Sequence, residues 1–147
     1  MNKKGFTLIE LLVVISIIGT LAALSLVAFG PSQKQVRDIQ RKSDLKQYQT
    51  ALENFANNNN SLYPSRRGTY PLSMMCSVLG ITGTCPEDPK TDYRYIYISD
   101  GSGTGIINAT QYLMWSVLEG SDGYWIVCSG GKSGTSTSVP TNSECPF

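Results

Sequence analysis

From Phe6 to Phe29 the chain is apolar for 24 residues, and only Glu10 in that run is ionisable. A helix of that length rises about 36 Å at 1.5 Å per residue, enough to cross the hydrocarbon core of a bilayer. Gly30 and Pro31 close the run. Proline lacks a backbone donor and crowds the preceding turn, so a kink or a break is expected there. Gly19 is a second weak point, since glycine lowers helix propensity by about 1 kcal/mol. A hinge at Gly19, Gly30 and Pro31 and an ordinary membrane-exit boundary fit the sequence equally.

Residues 32–60 contain no glycine or proline and are rich in Gln, Lys, Arg and Leu, all good helix formers. Leu45, Tyr48, Leu52 and Phe55 fall on one stripe, whereas Val36 and Ile39 project onto another face. The second half of this helix is therefore expected to cover a globular head, with the first half facing elsewhere. The asparagines at 57–60 are the expected stop, because short polar side chains compete for backbone hydrogen bonds. From residue 61 onward proline and glycine break the chain into loops, with one short helix expected near Leu72–Leu79. Alternation predicts strands at 93–99, 111–119 and 124–129, the last two joined by a turn over 120–123. Residues 130–147, rich in Ser, Thr and Gly, read as a terminal loop. The pattern gives an α+β chain: a long helix on a small antiparallel sheet. Its parts are 1–5, a short leader; 6–29, the apolar helix; 30–60, its amphipathic continuation; and 61–147, the head.

Composition changes this picture little. The chain has 147 residues, with 12 basic and 11 acidic side chains for a net charge of +1. Removing the front leaves roughly 85 residues for a core, a size at which single domains benefit from staples. Residues 32–60 carry five bases against three acids, and Arg37–Lys42 reads as a solvated basic face. There is no histidine, which excludes Ser-His-Asp and Cys-His chemistry and histidine metal sites. No catalytic constellation, cofactor or metal is implied, and the chain does not read as an enzyme. The "DGSGTG" stretch at 100–105 is a loop and not a phosphate cradle, since no lysine or helix start follows it.

The cysteines are Cys76, Cys85, Cys128 and Cys145. Behind a membrane-directed front, an even count in a small head reads as two disulfides formed in an oxidising compartment. Three pairings exist. The sequence-local one, 76–85 with 128–145, is favoured because each loop closes cheaply.

Glu10 separates the readings of the front. A carboxylate near the bilayer centre costs about 2.5–3.5 kcal/mol on insertion scales. A cleaved secretory signal has an apolar core of about 7–15 residues before its cleavage site. Here the stretch before Ala23-Leu24-Ser25 is longer and holds the acid. A plain anchor leaves the acid unexplained. The hexapeptide Gly5-Phe6-Thr7-Leu8-Ile9-Glu10, behind Lys3 and Lys4 and ahead of the apolar helix, resembles the processing motif of type IV prepilins and related pseudopilins. The resemblance is strongest over 3–29 and extends through the charged helix to about Phe55.

The resemblance implies cleavage by a prepilin peptidase after Gly5, N-methylation of Phe6, and a pilin-like fold. It implies that Glu10 is an assembly group, pairing in a filament with the α-amine of a neighbour's Phe6. A buried charge is tolerated when paired, and one such pair can fix register in a bundle of Leu, Ile and Val. Many members of the family carry a proline where this chain has Val27, which leaves the site of bending open. The implied partners are further copies, other pilins, the peptidase, inner-membrane assembly machinery and, before assembly, lipid. The implied location is the inner membrane as a single-pass protein with its head outside the cytoplasm, then a surface pilus or a periplasmic pseudopilus.

Three functional readings follow: a pilus subunit, a major pseudopilin of type II secretion, and a minor or DNA-uptake pilin. The cysteines favour the first, because staples protect a filament outside the cell. The stretch "CPEDPKTDYRYIY" resembles the heads of major pseudopilins and favours the second. Arg66 and Arg67 are slender support for phosphate contact in the third, and no nucleic acid is expected for a major subunit. Glu87, Asp88, Asp92 and Asp100 lie near turns as in calcium-binding pseudopilins, but without EF-hand spacing they read as turn caps and solvated acids.

Overall fold

The computed structural model describes residues 5–147, without the side chains of 26–28. The leader residues 1–4 and the side chain at Val27 lie outside the described residues. One helix, α1, runs from Leu8 to Asn57 over 50 residues, about 75 Å at 1.5 Å per residue. It passes through Gly19, Gly30 and Pro31 without interruption, so the expected break at the joint is not seen. The cost of the missing donor and the crowded turn at Pro31 is met by the strong helix formers that continue beyond it from Gln33 to Leu52.

The helix ends where the asparagines begin. Asn58 Nδ2 donates to the Asn54 carbonyl at 3.1 Å and Asn59 Nδ2 to that of Phe55 at 2.8 Å. These bonds satisfy carbonyls that a helix end leaves without partners. Asn60 and Ser61 then take positive φ values of 55° and 62°, turning the chain back towards the helix.

The head is built from β1 (Tyr63–Pro64), β2 (Tyr70–Pro71), β3 (Ile96–Ser99), β4 (Ile107–Ala109), β5 (Tyr112–Leu118), β6 (Gly123–Cys128) and β7 (Ser133–Ser136). Five strands form an antiparallel sheet in the order β2-β3-β5-β6-β7, and β1 pairs with β4. The expected hairpin is present, with Leu118 facing Gly123 across its turn. The first expected strand is shorter than predicted and begins at Ile96. The helix expected near Leu72–Leu79 is a single 3-10 turn, Leu72–Met75. The terminal loop hides a strand: Ser133–Ser136 has weak intrinsic preference and is held by pairing with β6.

The helix covers the sheet with the stripe read from the sequence. Leu45, Tyr48 and Leu52 are fully buried against Leu72, Met75, Tyr97, Tyr112 and Met114, and each such side chain contributes about 1.5–3 kcal/mol relative to exposure. Val36 and Ile39 remain exposed on the other face. The opposite side of the sheet buries Leu113, Ile126 and Cys128 beneath Trp115, Tyr124 and Cys145.

Candidate assembly site

The first turn of α1 carries the acid singled out above. Thr7 is the N-cap, and it forms a reciprocal capping box with Glu10. Glu10 N donates to Thr7 Oγ1 at 3.4 Å, while Glu10 Oε2 accepts from Thr7 N at 2.8 Å and Thr7 Oγ1 at 2.7 Å. A Thr-x-x-Glu spacing was a legible signal for this box that the reading of the motif passed over. The carboxylate thus has donors within its own chain, which lowers the cost of placing it in an apolar environment.

Behind it, Leu8–Ser25 is long and apolar enough to cross a membrane, and none of it is buried against the head. Its hydroxyls are satisfied internally. Ser16, Thr20 and Ser25 donate to the carbonyls of Leu12, Ile17 and Leu21, so they present no unpaired donor to lipid or to a packed helix. Exposed Phe29, Val36 and Ile39 carry the apolar surface beyond the span.

The helix meets the head through a buried ionic cluster at Arg37–Arg41. Arg41, fully buried, donates two bonds to Asp88, Nε–Oδ2 at 2.7 Å and Nη2–Oδ1 at 2.8 Å. It also pairs with Asp38 at 2.8 Å and Glu119 at 2.7 Å. Arg37 forks onto Glu119 at 2.8 and 2.7 Å, and Lys90 reaches the same carboxylate at 2.8 Å. Asp38 in turn accepts from the backbone N–H groups of Glu119 and Gly120 at 2.9 and 2.8 Å. Three cations face three carboxylates, so the cluster is neutral, as a buried one must be.

These contacts set the ionisation of the carboxylates. Hydrogen bonds from Arg37, then Lys90 and Arg41, hold the Glu119 carboxyl far below its ordinary value against burial. Burial pushes Asp38 up, but the two backbone donors and Arg41 outweigh it and the carboxyl is lowered. The expectation of a solvated basic face over Arg37–Lys42 is therefore wrong at Arg41. Its carboxylate partners at 88 and 119 lie too far along the chain for local spacing to reveal them.

The cysteines pair as Cys76–Cys85 and Cys128–Cys145, with Cα separations of 6.0 and 5.8 Å. The first bridge sits against α1: the Tyr48 hydroxyl lies 3.4 Å from Cys76 Sγ and 3.1 Å from Cys85 Sγ, and donates to the Pro86 carbonyl at 2.8 Å. The second ties the C-terminal segment to the end of β6.

Residues 1–26 match the family model of the prokaryotic N-terminal methylation motif. Over 54 residues, 37% of this chain, the sequence is 42% identical to the type IV major pilin protein PilA of Myxococcus xanthus (strain DK1622). Over its N-terminal part the chain is similar to type IV pilins. The aligned stretch covers 24% of that relative, so the chain spans about a quarter of the length of the curated relative it matches. No solved structure matches it.

Other residues named from the sequence are placed differently. Arg66 is buried, stacked 5.0 Å from the Tyr70 ring and bonded to the Ser65 carbonyl at 2.9 Å, so it does not form an open phosphate contact with exposed Arg67. Asp88 is in the buried cluster and not a solvated acid. Asp100 caps the backbone of Thr110 and Gln111 at 2.8 and 3.0 Å. Glu87 and Asp92 are exposed, and no group of three or more carboxylate or cysteine ligands converges among the described residues.

Proposed function

We propose that this chain is a structural subunit, made as a prepilin, cut after Gly5, methylated on Phe6 and polymerised through α1 into a type IV pilus-like filament. The observation that carries the reading is the exposed apolar span with one acid in its first turn, capped within its own chain. Before assembly, Thr7 supplies donors to the Glu10 carboxylate and lets the span reside in lipid. In the filament, Glu10 exchanges them for the cationic amine of a neighbour's Phe6, while exposed leucines, isoleucines and valines pack into the filament core.

The subunit resides in the inner membrane with its head outside the cytoplasm until the assembly machinery extracts it. Its partners are copies of itself and other pilins, and its processing enzyme is a prepilin peptidase. The head contributes no enzymatic chemistry in this reading. A type II secretion pseudopilin is the second reading, favoured by the resemblance of the 85–97 segment to major pseudopilin heads. The buried position of Asp88 supports a structural use of that segment in either assembly.

Intact-mass measurement of the protein from its native host tests the reading. The expected mature chain begins at Phe6 and carries one added methyl group. An N-terminus at Leu26, or an uncut membrane form, contradicts it.

A further inference from the structure

Pro86 to Lys90 forms neither helix nor strand, yet it delivers Asp88 and Lys90 to the buried cluster on α1. Just before it, Cys85 is fixed by its bridge to Cys76. Both sulfurs and the Pro86 carbonyl are gripped by Tyr48. Tyr48 lies seven residues beyond Arg41 on α1, about 10.5 Å along the axis. The three-residue step from Cys85 to Asp88 spans at most about 10–11 Å when extended. Three residues therefore link the bridge held beside Tyr48 to the carboxylate held by Arg41, one turn of contacts leading into the next along α1.

The geometry points to an oxidation-dependent lock between head and helix, in which the Cys76–Cys85 bridge positions Asp88 on Arg41 and the closed pair fixes the head on α1 for assembly. The assembly part rests on the reading of the chain as a filament subunit. Closing the bridge converts two thiols to one disulfide. The two electrons and two protons pass to the disulfide of a thiol oxidant, which leaves as a dithiol. Before closure, Arg41 has only Asp38 and Glu119, and the 86–90 segment, with Lys90, is free to leave the helix. Arg41 is a positioning residue here: it touches no partner molecule and acts through the orientation of the head. The Cys128–Cys145 bridge, at the far side of the sheet, does not touch this segment and serves as an internal control.

Coupling of this kind is reciprocal, so the lock must also protect the bridge. The test uses the full-length chain in detergent micelles. Asp88→Asn, with both bridges formed, should let dithiothreitol open Cys76–Cys85 at roughly tenfold lower concentration, with Cys128–Cys145 unchanged. In the double variant Cys76→Ser/Cys85→Ser, amide exchange over residues 86–95 should accelerate roughly tenfold or more. Adding Asp88→Asn to that variant should accelerate it little further, since both changes open one lock.

Multiplied effects, or an unchanged reduction midpoint in Asp88→Asn, overturn the proposal. The midpoint decides alone if the cysteine variant does not fold. Filament yield in the native host should fall in Asp88→Asn, and an undiminished yield with the segment released overturns the assembly part. Absence of any filament from the wild type would contradict the subunit reading, while the micelle measurements would still decide the lock.

Discussion

Arg41 and Asp88 are 47 residues apart in the chain and meet through two hydrogen bonds of 2.7 and 2.8 Å, with neither side chain exposed to solvent. One comes from the long helix and the other from an irregular segment of the head, so the pair joins the two halves of the protein. Removing one member of a buried pair leaves the other charged and without its counter-ion. Arg41→Met removes the cation shared by Asp38, Asp88 and Glu119, whereas Asp88→Asn leaves Arg41 two carboxylates. Arg41→Met should cost about 3–5 kcal/mol of head stability and Asp88→Asn about 1–3 kcal/mol. Urea unfolding followed by the fluorescence of Trp115 and Trp125 measures both. Equal, small losses would show that the cluster does not hold the head.

The same cluster predicts acid sensitivity. Glu119 lies below its ordinary value of 4.5 chiefly through Arg37. Asp38 lies below 3.8 because backbone donors and Arg41 outweigh burial. Asp100 lies below 3.8 as well, since its bonds from Thr110 and Gln111 outweigh burial. A carboxyl lowered on folding contributes stability that is present above its unfolded value and is lost as pH falls through its folded value. Asp44 acts in the opposite sense, raised by burial against the Tyr95 hydroxyl, and gains stability on protonation. Three lowered groups against one raised group give a melting temperature that is flat above about pH 5 and falls progressively below about pH 4.5. Glu119→Gln should flatten that fall. A wild-type melting temperature unchanged down to about pH 3 would contradict this assignment.

Packing at the sheet edge gives a steric prediction. A Cβ at Gly123 would lie 2.7 Å from the Ser136 carbonyl oxygen, a backbone atom of the paired strand, whereas one at Gly130 would meet nothing within 4 Å. Gly123→Ala should therefore cost about 1–3 kcal/mol by forcing β6 and β7 apart, and Gly130→Ala less than about 0.5 kcal/mol. Thermal melts of the two variants compare them directly.

What was legible in the sequence followed local pattern. The unbroken apolar run, the Leu45–Tyr48–Leu52 stripe and the Gly120–Gly123 turn each write their structure into neighbouring residues, and the helix, its buried face and the hairpin follow. Of the kink or break expected at Pro31, the break is not seen, because strong helix formers carry the helix on beyond it. Ser133–Ser136 was unreadable because its strand comes from the partner β6 and not from its own residues. Arg41 was misread for a related reason: a basic residue next to Lys42 reads as solvated until carboxylates 47 and 78 positions later are brought against it. At the candidate site, Glu10 stood out as a lone acid, while its bond to Thr7 required the capping pattern to be applied inside an apolar run.

In the proposed filament Glu10 serves assembly and not membrane residence. Glu10→Val removes a costly group, so insertion should be preserved or improved. Polymerisation should fail or fall sharply, because a neighbour's amine is then buried without a counter-charge. The most direct measurement compares filaments sheared or extracted from wild-type and Glu10→Val cells at equal membrane abundance of the subunit. The account predicts a severe loss of filaments from the variant with processing at Gly5 intact. Equal filament yield from the two would contradict it.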